Sequence, residues 1–123
     1  MQESGEMYLE TILILESELE FIRAIDIVER MNFSKPSVSR ALVKLKNSEC
    51  IIVDESSHIL LTQKGRAIAE KMYERHQILT TMLEKLGVDK KIAAADACKI
   101  EHDISDSSFD AIKNYLNKVS DIE

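Results

Sequence analysis

The sequence predicts a mainly α-helical protein, a winged helix-turn-helix followed by a helical segment. Three observations carry this expectation. Apolar residues recur at three- and four-residue spacings through most of the chain, the pattern of amphipathic helices. Two of those stretches are separated only by the tight turn Asn32-Phe33-Ser34, the outline of a helix-turn-helix. Directly after the second stretch come two short strand-forming runs, Cys50-Ile51-Ile52-Val53 and Ile59-Leu60-Leu61, on either side of the polar turn Asp54-Glu55-Ser56-Ser57-His58. A hairpin in that place is a wing.

The first helix is expected over residues 4–18, where Tyr8, Ile12, Leu15 and Leu19 form an apolar stripe and Met7, Glu10 and Ile14 share a neighbouring face. Glu16, Glu18 and Glu20 close it as a solvated charge run. A short helix over 23–31 packs through Ile27, Val28 and Met31 and opens with Asp26, a carboxylate at the positive helix end. Ser34 caps the third helix and Pro36 sits in its first turn, with Val38, Ala41, Leu42 and Leu45 as the apolar side. Opposite that side stand Ser37, Ser39, Arg40 and Lys44. After the wing, Thr62 caps a long helix in which Ile68, Met72, Leu79, Met82, Leu83 and Leu86 keep a three-four rhythm, Arg75 excepted, until Gly87 ends it. Asp89 caps a fifth helix bearing Ile92, Ala93, Ala97, Cys98 and Ile100. Ser105 or Asp106 opens a sixth with Phe109, Ile112, Leu116 and Val119. The expected division is residues 1–70, a DNA-binding part, and 71–123, a helical part, joined by the long helix.

A chain of 123 residues with 45% apolar content can bury one core and a smaller second one. No apolar run is long enough to span a bilayer and no cleavable leader opens the chain, so a soluble, cytoplasmic protein without a membrane partner is expected. Cys50 and Cys98 lie far apart in sequence and in expected context, which argues against a disulfide framework, and Cys50, among isoleucine and valine, is expected in the core. The net charge of −6 argues against DNA binding by charge alone, but its distribution is uneven. Residues 35–46 hold Lys35, Arg40, Lys44 and Lys46 and no acid, whereas the first twenty hold glutamates and no base. A basic face on an acidic protein binds DNA weakly and with strong salt dependence, and a cation covering the carboxylates would help it.

The segment Ala97-Cys98-Lys99-Ile100-Glu101-His102 points to such a cation. On a helix, Cys98, Glu101 and His102 stand at i, i+3 and i+4 and aim a thiol, a carboxylate and an imidazole at one place. Met7 and Glu10 repeat the i, i+3 spacing with a thioether and a carboxylate. A divalent metal could therefore clip the N-terminal helix to the C-terminal half.

Five segments in order, Glu6-Met7-Tyr8-Leu9-Glu10-Thr11-Ile12, Pro36-Ser37-Val38-Ser39-Arg40, Leu61-Thr62-Gln63-Lys64-Gly65, Arg75-His76 and Ala97-Cys98-Lys99-Ile100-Glu101-His102, give the chain a resemblance. It resembles the diphtheria-toxin-repressor and manganese-transport-regulator family of bacterial metal-dependent repressors. The resemblance implies a winged helix-turn-helix followed by a helical metal-binding and dimerisation domain. It also implies a homodimer that binds double-stranded, pseudo-palindromic operator DNA when Fe(II) or Mn(II) is present. Iron-type members usually add an SH3-like domain, so a chain of this length looks like the manganese type. That type has Asp where Met7 stands and Glu where Cys98 stands, whereas Met7, Cys98, Glu101 and His102 look like the principal site of the iron type. His76 matches one ligand of a second site, which could also draw on Glu10 and Glu101. Thr80 and Ala94 replace its Glu and His in iron-type members, so one full site per subunit is expected. Ile25 stands where relatives often place a Ser or Thr cap before the recognition helix.

Thioether and thiolate suit borderline ions, so Fe(II) is the expected metal, with Mn(II) a candidate and Co(II), Ni(II) or Zn(II) able to bind in vitro. On DNA, Arg40 and Pro36 would face base edges while Ser34, Ser37, Ser39 and Lys44 hold phosphates, with Lys35 beside them. Two rival readings differ in class. One is a winged-helix regulator that dimerises through its helical half and does not sense metal. The other is an enzyme, disfavoured because the chain has no HExxH spacing, nucleophile elbow or phosphate loop.

Overall fold

The computed structural model describes residues 2–122. In order, the chain forms α1 (Glu3–Glu16), α2 (Ala24–Met31), α3 (Lys35–Asn47), β1 (Ile51–Val53), β2 (Ile59–Leu61), α4 (Gln63–Lys85), α5 (Lys90–Asp103) and α6 (Asp106–Ile122). It divides into two compact units, Met1–Lys71 and Met72–Glu123, and the division falls within α4.

In the first unit Leu9, Ile12, Ile27, Val38 and Cys50 are fully buried and Tyr8, Leu15, Ile22, Leu45, Ile51 and Ile59 nearly so. Leu9 belongs to the core although it stands outside the expected stripe, and Leu19 does not, because α1 ends at Glu16 and leaves Leu19 in the following turn. The glutamates after it are not a free charge run. Glu16 takes both guanidinium nitrogens of Arg66 at 2.9 Å, and Glu18 pairs with Arg30 at 2.8 Å.

The start of α2 shows how a missing cap is replaced. The helix begins at Ala24, which puts Ile25 inside it, and the flanking residue is Arg23. The Asp26 carboxylate reaches back to accept the Arg23 backbone N–H at 2.8 Å, the acidic half of a capping box. Asn32 then ends α2 in the left-handed conformation, φ 56°, a region asparagine tolerates better than most residues. Ser34 Oγ accepts the Ser37 N–H at 3.2 Å and so starts α3.

The wing pairs antiparallel, with Ile51 opposite Leu61, Ile52 opposite Leu60 and Val53 opposite Ile59. Alternation buries Ile51 and Ile59 and leaves Ile52 and Leu60 in solvent. Asp54 ties the turn by accepting the amides of Ser56 and His58 at 2.8 and 2.9 Å, and the His58 amide chiefly holds its carboxyl below the usual range. Behind the wing Thr62 accepts the Gly65 N–H at 3.1 Å as the cap of α4. Gly65 has a steric reason to lack a side chain, since a Cβ there would collide with the Cys50 carbonyl.

The second unit buries Met72, Leu79, Ala93, Ala97, Phe109 and Leu116. Its helix ends follow the expected chemistry. Gly87 takes φ 100° after α4, Asp89 caps α5 through the Lys91 N–H, and Ser105 accepts the Ser108 N–H at 3.1 Å to open α6. Leu86 and Ile92, counted among the apolar positions, are exposed. Among the described residues no helix is long and apolar enough to cross a membrane.

Gly65→Ala is expected to lower the free energy of urea unfolding by about 3 kcal/mol, the upper end for overpacking against backbone. An unchanged midpoint would mean that the α4 start yields at little cost.

Candidate metal centre and recognition helix

Residues 97–102 are helical, as the spacing requires, and α5 presents Cys98 and Glu101 to His76 of α4. One donor atom from each of His76, Cys98 and Glu101 lies within 4.8 Å of the other two. Glu101 is fully buried, His76 half-buried and Cys98 exposed, so the group runs from the interior to the surface. His76 Nδ1 stands 3.1 Å from Glu101 Oε2, and His102 Nε2 stands 3.5 Å from Glu101 Oε1. The His102 side chain is itself 2% exposed.

Two features mark this as more than a buried ion pair. Glu101 Oε1 has no hydrogen-bond partner among the described residues although it is out of water, a cost of about 1–3 kcal/mol or more for a charged group. His76 is pushed up to about 10, first by hydrogen bonding to Cys98 and then by Glu101, against the opposing effect of burial. A proton on His76 therefore neutralises the cluster at neutral pH. Imidazole, thiol and carboxylate, with one carboxylate lone pair unspent, fit a borderline divalent cation, which would take that lone pair and displace the proton.

Arg75, which in the sequence stands as a break in the apolar rhythm of α4 next to His76, holds the frame. It is 4% exposed and donates to the carbonyls of Glu101 at 3.0 Å and Ile104 at 2.7 Å, with Asp106 as its carboxylate partner and the Phe109 ring below it. Those carbonyls end α5, so one guanidinium pins the turn that carries Glu101 and His102. The signal was present: Arg75 occupies an apolar position of α4, three residues after buried Met72 and four before buried Leu79.

Met7 and Glu10 are on α1 of the first unit, Met7 half-buried and Glu10 7% exposed. His76, assigned from the sequence to a second site, stands in the same cluster as Cys98 and Glu101. Thr80 turns its hydroxyl back to the His76 carbonyl at 2.7 Å.

On α3, Ser34, Lys35, Pro36, Ser39, Arg40 and Lys44 are exposed and Ser37 is half-buried, while Val38 and Leu45 face the core. A chain of contacts runs along this face from Ser34 to Ser37 at 2.9 Å and from Arg40 to Ser37 at 3.4 Å. His58, in the wing, stacks on Phe21 with centroids 4.3 Å apart.

Residues 1–59 match the family described as iron dependent repressor, N-terminal DNA binding domain, and residues 62–121 match its metal binding and dimerisation domain. The HTH-type transcriptional regulator MntR of Bacillus velezensis is 32% identical over 98% of this chain and 84% of its own length. The chain belongs to the diphtheria-toxin-repressor and manganese-transport-regulator family. Within that family of metal-dependent transcriptional repressors, the transcriptional regulator MntR of Escherichia coli O157:H7 is 33% identical over 90% of this chain and 72% of its own. Among solved structures, the metal-dependent transcriptional regulator MtsR superposes with TM-score 0.85 at 27% identity, over 95% of this chain and 55% of that one. The manganese regulator SloR does so with TM-score 0.81 at 29% identity, over 92% of this chain and 53% of that one. The chain thus spans about half the length of those two solved proteins.

Arg75→Lys, which cannot reproduce the guanidinium fork, is expected to weaken divalent-metal binding by about tenfold to a hundredfold while circular dichroism stays unchanged. Undiminished affinity would free Glu101 from Arg75. Because hydrogen bonding pushes His76 up to about 10 and a metal takes its ligands deprotonated, the Cys98 thiol included, metal binding at pH 7 is expected to release protons, and affinity is expected to rise with pH. Calorimetry in buffers of different ionisation enthalpy would read the released protons, and buffer-independent heats would rule them out.

Proposed function

We propose that this chain is a divalent-metal-dependent transcriptional repressor, active as a homodimer on a pseudo-palindromic duplex. The observation that carries the reading is the convergence of His76, Cys98 and Glu101, with a buried carboxylate oxygen that accepts no hydrogen bond among the described residues. His76, Cys98, Glu101 and His102 are the proposed ligands of the second unit, and Met7 and Glu10 are the proposed contribution of α1. A bound dication supplies the positive charge that lets these carboxylates and the thiolate stay ionised together. The side chains do the rest. Glu101 holds a fixed position because Arg75 grips its carbonyl, Cys98 offers a deprotonated sulfur, and His76 gives up its proton.

The sequence of α3 supports the DNA half of the reading. Its exposed face carries Arg40 and Pro36 for base edges and Ser34, Lys35, Ser37, Ser39 and Lys44 for phosphates. A homodimer would place two such faces on successive turns of a duplex. If metal favours the DNA-competent arrangement, linkage requires DNA to tighten metal binding by the same factor.

Two ions compete for the role. Solved relatives named as a manganese regulator and as a manganese-dependent transcriptional repressor support Mn(II). The sulfur of Cys98 supports a softer ion, Fe(II), and would also accept Co(II), Ni(II) or Zn(II) in vitro.

The test is anaerobic titration with Mn(II) and with Fe(II), followed by selection of binding sites from a random duplex pool and anisotropy at fixed salt. One ion bound per chain, an inverted-repeat site and at least about a tenfold gain in DNA affinity, or 1.4 kcal/mol of coupling, are expected. Cys98→Ala is expected to lose most of this gain and to remain folded. Metal binding without any change in DNA affinity would leave the metal structural and sink the switch. On the selected site Arg40→Ala is expected to lose about 1–3 kcal/mol of discrimination, and undiminished selectivity would move base reading off α3.

A further inference from the structure

The first unit contains a concavity that the metal centre does not use. The N-terminal part of α1, the outer face of α3 and the start of α4 enclose a cleft of about 680 Å³, within the roughly 300–1,000 Å³ typical of small-molecule sites. Its floor is apolar, made by Tyr8, Ala41, Leu45 and Ile68. Its cations are Arg40, Lys44 and Lys64, and among the described residues no carboxylate lines it. In a chain of net charge −6 that is a local reversal of sign.

The three cations are also available. Lys64 Nζ donates to the Ser48 carbonyl at 2.9 Å and Arg40 to Ser37 Oγ at 3.4 Å, both neutral acceptors. Among the described residues neither Arg40 nor Lys44 is paired with a carboxylate. Burial keeps the Tyr8 hydroxyl protonated to higher pH than usual, against the pull of Arg40, so it remains a neutral group beside the charges.

We infer that this cleft binds a small amphipathic organic anion, its acid group held by Arg40, Lys44 and Lys64 and its apolar body laid on Tyr8, Leu45 and Ile68. Both halves of the ligand are needed. A bare inorganic anion would leave the apolar floor wet, and an uncharged apolar molecule would dehydrate three cations without a counter-charge. Arg40 and Lys44 also belong to the face proposed for DNA, so a bound anion would cancel charge that the duplex uses. That exclusion of DNA rests on the proposed function; the binding does not.

The probe is decanoate, kept below its micellar range and titrated into isotope-labelled protein without DNA while amide resonances are followed. Saturable shifts centred on Tyr8, Leu45 and Ile68 are expected, with decanol and inorganic phosphate each weaker by about tenfold or more, since charge-assisted contacts and apolar burial contribute together. The double variant Lys44→Gln, Lys64→Gln is expected to weaken decanoate by a similar factor, and Lys91→Gln, on α5, to leave it unchanged. Phosphate binding as tightly as decanoate would reduce the cleft to a seat for a backbone phosphate and overturn the inference. Decanol binding equally well, or shifts insensitive to the double variant, would overturn it as nonspecific adsorption. Decanoate is then added to the protein–DNA complex, where release of DNA is expected. Cleft binding without release would keep the ligand site and remove Arg40 and Lys44 from the DNA contact.

Discussion

The interaction on which the candidate centre depends is the burial of Glu101 between two cationic groups with different jobs. Arg75 holds the residue by its backbone carbonyl, and His76 faces its carboxylate. A lone buried carboxylate would be driven to the neutral form, and a charged one needs both a counter-ion and hydrogen bonds to be tolerable. Arg75 and His76 are neighbours on α4, so a single stretch of backbone delivers the pin and the counter-charge together. The last turn of α5 is thereby fixed before any metal chemistry enters. Among the described residues two buried polar atoms go without a hydrogen bond, Arg75 Nε and Glu101 Oε1, and the carboxylate oxygen is where the arrangement has capacity for a ligand.

Much of the fold could be read from the chain because its boundaries are written in local chemistry. Ser34, Thr62 and Asp89 each accept an amide two or three residues on, and Gly87 supplies the positive φ that ends α4. Such signals act within one turn and need no knowledge of the partner elements. The readings that failed are those in which partners lie far along the chain. Glu16 looked like surface because its partner Arg66 is fifty residues away. Ile25 looked like a lost cap because the carboxylate that does the capping, Asp26, comes after it and binds backwards. Leu86 and Ile92 keep the apolar rhythm yet are exposed, because periodicity counts apolar residues without knowing which face has a neighbour.

The candidate site was legible to the extent that it is local. Cys98, Glu101 and His102 share a helix, and their spacing alone puts them on one face. The addition of His76 to that face depends on how α4 meets α5, which no spacing within either helix specifies. Arg75 was hidden for a different reason. A charged residue on an apolar stripe reads as an interruption of the pattern, although here it marks the place where carbonyls at a helix end need a buried donor.

The order of burial in the cluster also sets an order of access. Glu101 is sealed, His76 is partly open and Cys98 reaches solvent. A cation entering the proposed site would meet the sulfur first, and only then the imidazole and the inner carboxylate. The donor that meets the cation first is also the one most easily lost, because an exposed thiolate is the form that oxidants attack and a sulfinate or sulfonate no longer offers a soft ligand. A carboxylate at position 98 would remove that weakness and replace the soft donor with a hard one in one step. If the proposed ligand set holds a metal, choice of ion and resistance to oxidation would not be independent, since both would turn on the one side chain at its mouth.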